Sequence, residues 1–455
     1  MAQNRIEEGG KIMKRFALVG AGMAMGVAGT LWLFPAAHGA ASSTYRDLDL
    51  FSNAFDLVRA NYVKPVADGK LVDYAIQGMV SSLDPHSGYM DAKAFADMQI
   101  QTKGQFGGLG IEVTMEDGLI KVISPIDDSP AAKAGLKAGD YIAAINSTPV
   151  QGLSLNDAIA KMRGPSGSQV KLTILRPGAK KPFDVMLTRA IVKVDSVKWH
   201  REGNIGYIRL TAFNERTDPG LEQAVASLKK QIGEKAIKGY IIDLRNNPGG
   251  LLDQAIAVSD DLLNSGEIVS TRGRHPEDTQ RYDAKAGDIT EGKPIIVLIN
   301  GGTASAAEIV SGALQDHKRA TIVGMTSFGK GSVQTIMPLG EGGGALRLTT
   351  ARYFTPSGHS IQATGIQPDI AVAQGDEDNT PEIEHPHEVD LPGHLGEDNP
   401  EKQNVVSIIR PAPGKTYKDF QLEYALDLLR GKMTVSSITT KVHLPTKSAN
   451  GSSDD

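Results

Sequence analysis

The 455-residue chain contains no cysteine. That removes disulfide bonds, thiolate metal sites and a cysteine nucleophile together, and it leaves the redox compartment open. A basic excess is missing as well. The 48 Lys and Arg residues stand against 53 Asp and Glu, giving a formal charge of -5 and no sign of nucleic acid as a partner. No internal repeat is visible, and the G-x-S-x-G pattern of a nucleophile elbow is absent. What is present is the 40% apolar share of a soluble globular protein, on a chain long enough for roughly three domains at about 150 residues each.

With cysteine silent, the compartment is read from the N-terminus. Lys11, Lys14 and Arg15 precede an uncharged run from Phe16 to Phe34, and small residues follow from Pro35 to Ala41. Basic flank, apolar stretch and small residues are the parts of an export signal. Residues 1–41 are therefore expected to carry the rest across a membrane, with the basic end held in the cytoplasm. Two fates stay open, cleavage near Gly39 to Ala41 or retention as an anchor.

Leu48, Phe51, Phe55, Val58 and Tyr62 recur at helical spacing, Leu71 to Leu83 reads as a second helix and Ala92 to Met98 as a third. Residues 42–103 thus form an N-terminal helical region. Glycine-punctuated strands fill 104–190, an α+β module. Over 191–373 buried strands alternate with helices, which argues for an α/β core. Residues 374–403 are acidic and proline-punctuated, too poor in large apolar residues to order themselves, so a solvated linker is expected, its His385, His387 and His394 included. Leu422, Ala425, Leu426 and Leu429 mark one more helix within 404–455. No residue set calls for a metal or another cofactor.

Two segments carry chemistry. In the middle module, Gly107-Gly108-Leu109-Gly110-Ile111 is a glycine-rich turn entering a strand. Such a turn can aim backbone N–H groups at a carboxylate while the strand edge pairs with a peptide. With Ser129-Pro130-Ala131 and the run from Gly139 to Asn146, residues 104–190 resemble a PDZ domain. Arg163 lies within this module, either as a contact to substrate or core or as an ordinary surface arginine.

In the core, the strand Ile295–Asn300 runs into Gly301-Gly302-Thr303-Ala304-Ser305-Ala306, after which a helix follows. Ser305 there is a candidate nucleophile at a helix N-terminus, although a serine in this place is also good cap structure. It needs a base. His317 is twelve residues along the same helix, about 18 Å away at 1.5 Å per residue, and cannot reach. His359 and Lys330 remain. As a base, Lys330 must lose its proton, which asks burial for roughly 3.5 to 5 kcal/mol. The buried strand Tyr240–Leu244 ends in Asn246-Asn247-Pro248-Gly249-Gly250, a turn suited to presenting the N–H groups of Gly249 and Gly250 beside that of Ala306 as an oxyanion hole, or simply a tight turn.

Taken in order, these segments resemble the carboxy-terminal processing peptidases, or tail-specific serine proteases. The resemblance rests on Leu83 to Ser87, the PDZ segment, Asp243 to Gly250, Thr303 to Ala306 with Glu308, Phe328 to Gln334, Tyr353 to Gly358 and Gly365 to Asp369. It implies a multidomain α/β and α+β fold with an N-terminal helical unit, a PDZ domain and an α/β protease core. It also implies a serine–lysine dyad assisted by glutamine, mapping onto Ser305, Lys330 and Gln334. A PDZ domain that captures free protein C-termini through residues 108–111 follows, as do cleavage of exported, periplasmic proteins and self-association; an adaptor or lipoprotein partner is compatible with it. If Gln334 orients Lys330, the chain between them must turn, since in a straight strand they stand about 13 Å apart. Two rivals bear on the same residues. One is a catalytically silent PDZ scaffold, the other a crotonase-like acyl enzyme that needs no serine–lysine pair.

Overall fold

The computed structural model describes residues 35–116, 118–126, 129–193, 195–340, 342–375, 386–396, 407–412 and 417–432. Of the expected export segment, 1–41, residues 1–34 lie outside them, and among the described residues no helix is long and apolar enough to cross a membrane. The chain divides into two units, one up to Gly78 and one from Met79 onward.

The first unit is helical. Helix α1 spans Pro35–Asn61, and α2, Asp68–Ser81, begins in this unit. Leu48, Leu50, Phe51, Leu57, Val58, Tyr62, Val72 and Tyr74 are exposed on it.

In the second unit, helix α3 (Ala92–Lys103) is capped by Asp91, whose carboxylate accepts the Ala94 N–H, and ends on left-handed Gly104. The PDZ module follows as an antiparallel sheet ordered 111–116, 119–125, 141–145, 169–175 and 183–188, with 148–149 on the edge of 141–145. Its strand β1, Ile111–Glu116, is an outer strand of this sheet. Among the described residues the module's long helix, α4, is Leu155–Met162, with Ser154 as its cap. Ile120, Val122, Ile142, Leu172 and Ile174, all fully buried, form the module's own core with Leu109 and Met162.

The core domain is built on a six-stranded sheet ordered 197–202, 205–210, 239–243, 295–299, 320–324 and 370–371, parallel except for the first pair. Its central strands, β2 (Gly239–Asp243) and β3 (Ile295–Ile299), are buried at every residue, as befits a parallel sheet covered on both faces. Alternate residues serve opposite layers. Tyr240, Ile242, Val297 and Ile299 face helices α5 (Thr217–Ile232), α6 (Leu252–Leu262) and α7 (Ala306–Asp316). Ile241, Ile296 and Leu298 face Tyr424, Ala425 and Leu426 of helix α8, Phe420–Leu429. A second, antiparallel sheet holds strand β4, Ser332–Pro338, against strand β5, Ala345–Phe354, with 88–90 on another edge of β5.

The expectation of a solvated linker over 374–403 fails where it is described. Residues 386–396 are laid against the core, and Glu388 is fully buried. Composition misjudged it because hydrogen-bond donors from distant parts of the chain, rather than apolar area, hold the segment. His387 and His394 bond the carbonyls of Ser327 and Leu391, and among the described residues no group of side chains suits a metal ion. His385 lies outside the described residues.

Candidate active site

Parallel strands β2 and β3 end side by side, and the turns leaving them are tied together. Asn300 Oδ1 accepts the Asn246 N–H at 2.9 Å, and Asn300 Nδ2 returns a bond to Asn246 Oδ1 at 3.0 Å. Thr303 Oγ1 donates to the Leu244 carbonyl at 2.9 Å, and the Ala304 N–H donates to the Asn247 carbonyl at 2.9 Å. This is the crevice beyond the carboxyl ends of a parallel sheet, where α/β proteins place their sites.

Ser305 stands at the mouth of α7 with φ 55° and ψ -117°. A left-handed φ on a side chain with a Cβ costs of order 1–3 kcal/mol and persists only where the surroundings enforce it. The enforcing contact is close. A Cβ at Gly249 would come to 2.7 Å from both the Ala304 carbonyl oxygen and Ser305 Cβ, so only glycine, itself at φ 93°, fits beside the serine.

The N–H groups around it divide. That of Gly249 is taken by Asn247 Oδ1 at 2.9 Å, which removes it from the oxyanion donors expected from sequence. The cause is local, an Asx turn in which Asn247 bonds the backbone two residues on. For Gly250 and Ala306 no N–H acceptor is found among the described residues.

Glu308, three residues after Ser305, organises the rest. It is fully buried in the first turn of α7. Its Oε2 accepts the Ser305 N–H at 2.7 Å and the Lys330 N–H at 2.9 Å; its Oε1 accepts Ser327 Oγ at 2.5 Å and the Gly329 N–H at 2.7 Å. One carboxylate therefore ties the backbone of Ser305 to the loop that carries Lys330, and the two nitrogens on Oε2 can be no farther apart than the sum of their bond lengths. Burial pushes the Glu308 carboxyl up to about 7, against the pull of those four hydrogen bonds. Sequence reading had quoted Glu308 without giving it a role. The S-x-x-E spacing of a capping box was the available signal.

Lys330 is largely removed from water. Burial first, and then the charge of Arg347 on β5, hold its ammonium below the ordinary lysine value; Glu388, Glu308 and Asp84 pull the other way. Gln334 does not meet Lys330 through a turn. Residues 332–338 form β4, with a register shift between Val333 and Gln334, and Gln334 Nε2 donates to Ser332 Oγ at 2.9 Å and Thr349 Oγ1 at 3.5 Å. Pairing with β5 overrides the coil that a direct contact requires. His317 sits at the far end of α7, where its Nε2 bonds the Glu267 carbonyl at 2.7 Å. His359 bonds Ser357 in an exposed turn.

Asp84 and His86, within the stretch Leu83 to Ser87 that carries the resemblance, were given no role from sequence. Asp84 accepts the N–H groups of His86 and Ser87, Ser87 Oγ and Thr349 Oγ1, fastening its loop to β5 beside Gln334.

In the PDZ module, residues 109–111 border a cavity of about 150 Å³ between β1 and α4, lined by Leu109, Ile111, Val113, Ile159 and Met162. The Gly108 end of the turn is fixed by pairing with Ala190. Arg163 lies at the rim, its guanidinium 5.3 Å from the Phe106 ring centre and bonded to Asp97 of α3 at 2.6 Å. An apolar slot beside an unpaired strand edge is the geometry of peptide addition.

Comparison with known proteins gives this architecture its class. Residues 204–372 match peptidase family S41, 107–187 match the PDZ domain, and 34–94 match the N-terminal domain of the activating protease CtpB. A carboxy-terminal-processing protease of Bartonella bacilliformis is 55% identical over 398 residues, which cover 86% of this chain and 90% of that protein. The carboxy-terminal processing protease CtpA of Bacillus subtilis is 38% identical over 72% of this chain and 70% of its own length. Among solved structures, a photosystem II D1 C-terminal processing protease is 32% identical, with a TM-score of 0.41 over 71% of this chain and 92% of that one. The molecule is a PDZ-bearing peptidase of the serine type. It belongs to the carboxy-terminal processing proteases of peptidase family S41.

Proposed function

We propose that this protease cuts exported proteins near their C-termini with Ser305 as nucleophile and Lys330 as its base. The observation that carries the reading is the single buried carboxylate of Glu308 holding the backbones of both residues, with Lys330 kept from water and below its ordinary pKa. A neutral lysine takes the proton of Ser305 as its oxygen attacks the scissile carbonyl. The oxyanion is received by the N–H groups of Gly250 and Ala306. The lysine then protonates the leaving amine, and water releases the acyl group by the same steps in reverse. Gln334 acts at one remove, ordering Ser332 and Thr349 at the edge of the site.

Substrate selection falls to the PDZ module. The turn 108–111 receives the terminal carboxylate, the slot takes the last apolar side chain, and the substrate adds as a strand to the edge of β1. The exposed apolar side chains of α1 and α2 support self-association of the chain through that unit.

The test compares wild type, Ser305→Ala and Lys330→Ala on an unstructured protein with an apolar C-terminus, free or amidated. Both variants should lose cleavage and keep binding, and amidation should weaken processing by wild type. Equal cleavage by all three proteins would exclude the dyad, and binding without cleavage by wild type would favour a scaffold.

A further inference from the structure

Residues 386–396 lie past the segment 204–372 that matches the peptidase family model, yet they cross the loop that carries Lys330. The Glu388 N–H donates to the Phe328 carbonyl at 2.9 Å, and His387 Nδ1 bonds the Ser327 carbonyl at 3.0 Å. Gln362 completes the strap. Its Oε1 accepts the Gly331 N–H at 3.1 Å, while its Nε2 donates to Glu388 Oε1 at 2.9 Å and to the Leu395 carbonyl at 3.1 Å. On the other side, His86 Nε2 meets Glu388 Oε2 at 2.7 Å and Oε1 at 2.9 Å.

A carboxylate with no exposure to water costs several kcal/mol unless partners satisfy it. Nothing in the fold of an acid-rich segment demands that one of its glutamates be buried among residues drawn from so far along the chain. Such a group is a candidate for work at the site it faces.

We propose that Glu388 is a positioning residue for Lys330: on its strap it clamps the loop 327–331 and joins it, through Gln362 and His86, to the loop at Asp84. The proposal rests on Lys330 being the base. The charges that act on that lysine include Asp84 on its loop, Glu308 on α7, Arg347 on β5 and Glu388 on the strap. Around Glu388 stand His86, Gln362 and Lys330. Burial opposes its ionisation, but the hydrogen bonds from His86 and Gln362 leave it below the ordinary carboxylate value, so it is a fixed negative charge at neutral pH.

The sign follows. Removing that charge favours neutral lysine, so the ascending limb of kcat/KM against pH moves to lower pH, while a loosened loop lowers the plateau of kcat. The full-length protein is assayed on casein as Glu388→Gln, Glu388→Asp and Asp390→Asn, with melting temperatures measured alongside. Asp390 is an exposed neighbour on the same strap. Glu388→Gln should shift the limb down by about half a unit to one unit and lower kcat with KM little changed. Glu388→Asp, which keeps the charge, should restore the limb, and Asp390→Asn should leave it in place. If Gln and Asp are equally impaired with the limb unmoved, Glu388 is only structural and the proposal fails while the dyad stands. If Lys330→Ala still cleaves, the dyad reading fails and this proposal falls with it.

Discussion

Replacing Glu308 tests whether the site is held by hydrogen bonds or by charge, because glutamine and alanine separate the two. Alanine removes the acceptor of the Ser305, Gly329 and Lys330 N–H groups at once, leaving three backbone donors around the fully buried Glu308 position. At about 1–3 kcal/mol for each orphaned donor, and allowing for some entry of water, the loss is roughly 3–6 kcal/mol. Glutamine keeps one carbonyl oxygen, best turned to Ser305 and Lys330. Its amide then faces Ser327 Oγ, which already accepts the Ile366 N–H at 2.7 Å, and the Gly329 N–H, which loses its partner. The Gly329 N–H is orphaned and the Ser327 hydroxyl must find another acceptor, so about 1–3 kcal/mol is the least expected. For activity, a misplacement of 1 Å in the Lys330 loop is enough for about 10²-fold. Glu308→Ala should therefore lose at least that in kcat, and Glu308→Gln about tenfold.

The pH dependence supplies the refutation. The Glu308 carboxyl is raised from its ordinary 4.5 to about 7 by burial. A raised acid gives stability that is fully present below the unfolded value and is lost as pH rises through the folded one. Over that window wild type should lose roughly 3 kcal/mol from this group. Glu308→Gln has no such group, so its deficit is greatest near pH 5 and closes or reverses by pH 8. Urea unfolding of both proteins at intervals across that range reads the difference directly. Parallel curves, or a glutamine variant that matches wild type at every pH, would refute the assignment of Glu308 as the shared acceptor of both segments.

Three further outcomes are expected. Lys330→Arg keeps the charge but cannot give up a proton, so hydrolysis of casein should fall by about 10³-fold or more with substrate binding retained; substantial turnover would remove lysine as the base. Met162→Asp puts a charge into the apolar slot of the PDZ module and should raise KM for protein substrates roughly tenfold or more, with little effect on a short peptide that spans only the catalytic cleft. Asp419→Ala should destabilise the core by about 2–4 kcal/mol in urea, because Arg245 donates to both Asp243 and Asp419 and would keep a buried charge half-paired. Burial opposes ionisation of Asp419, but Arg245 holds its carboxyl below the usual value, so its contribution is present at neutral pH and lost on acidification; an unchanged acid midpoint in the variant would count against it.

The fold was legible where a local pattern and the final environment agree. Ile295–Ile299 reads as a buried strand from its own residues, and it is buried on both faces. Helix spacing alone separates His317 from Ser305, and the two lie at opposite ends of α7. Legibility ended where a residue's partner is distant in the chain. Gln334 looked free to coil toward Lys330 until its strand paired with β5, and the Gly249 N–H looked available until Asn247 took it. Glu388 is the sharpest instance. Composition counts it as one more charge in an acid-rich stretch, and solvation is then the natural expectation. Its fate was set by His86, 302 residues away, and by Gln362, 26 residues away. Charge density describes what a segment does when nothing answers it; burial of a carboxylate is decided by whether donors are already waiting. A segment can therefore be acid-rich on average and still contribute one residue to an interior, and that residue is the one whose charge reaches Lys330.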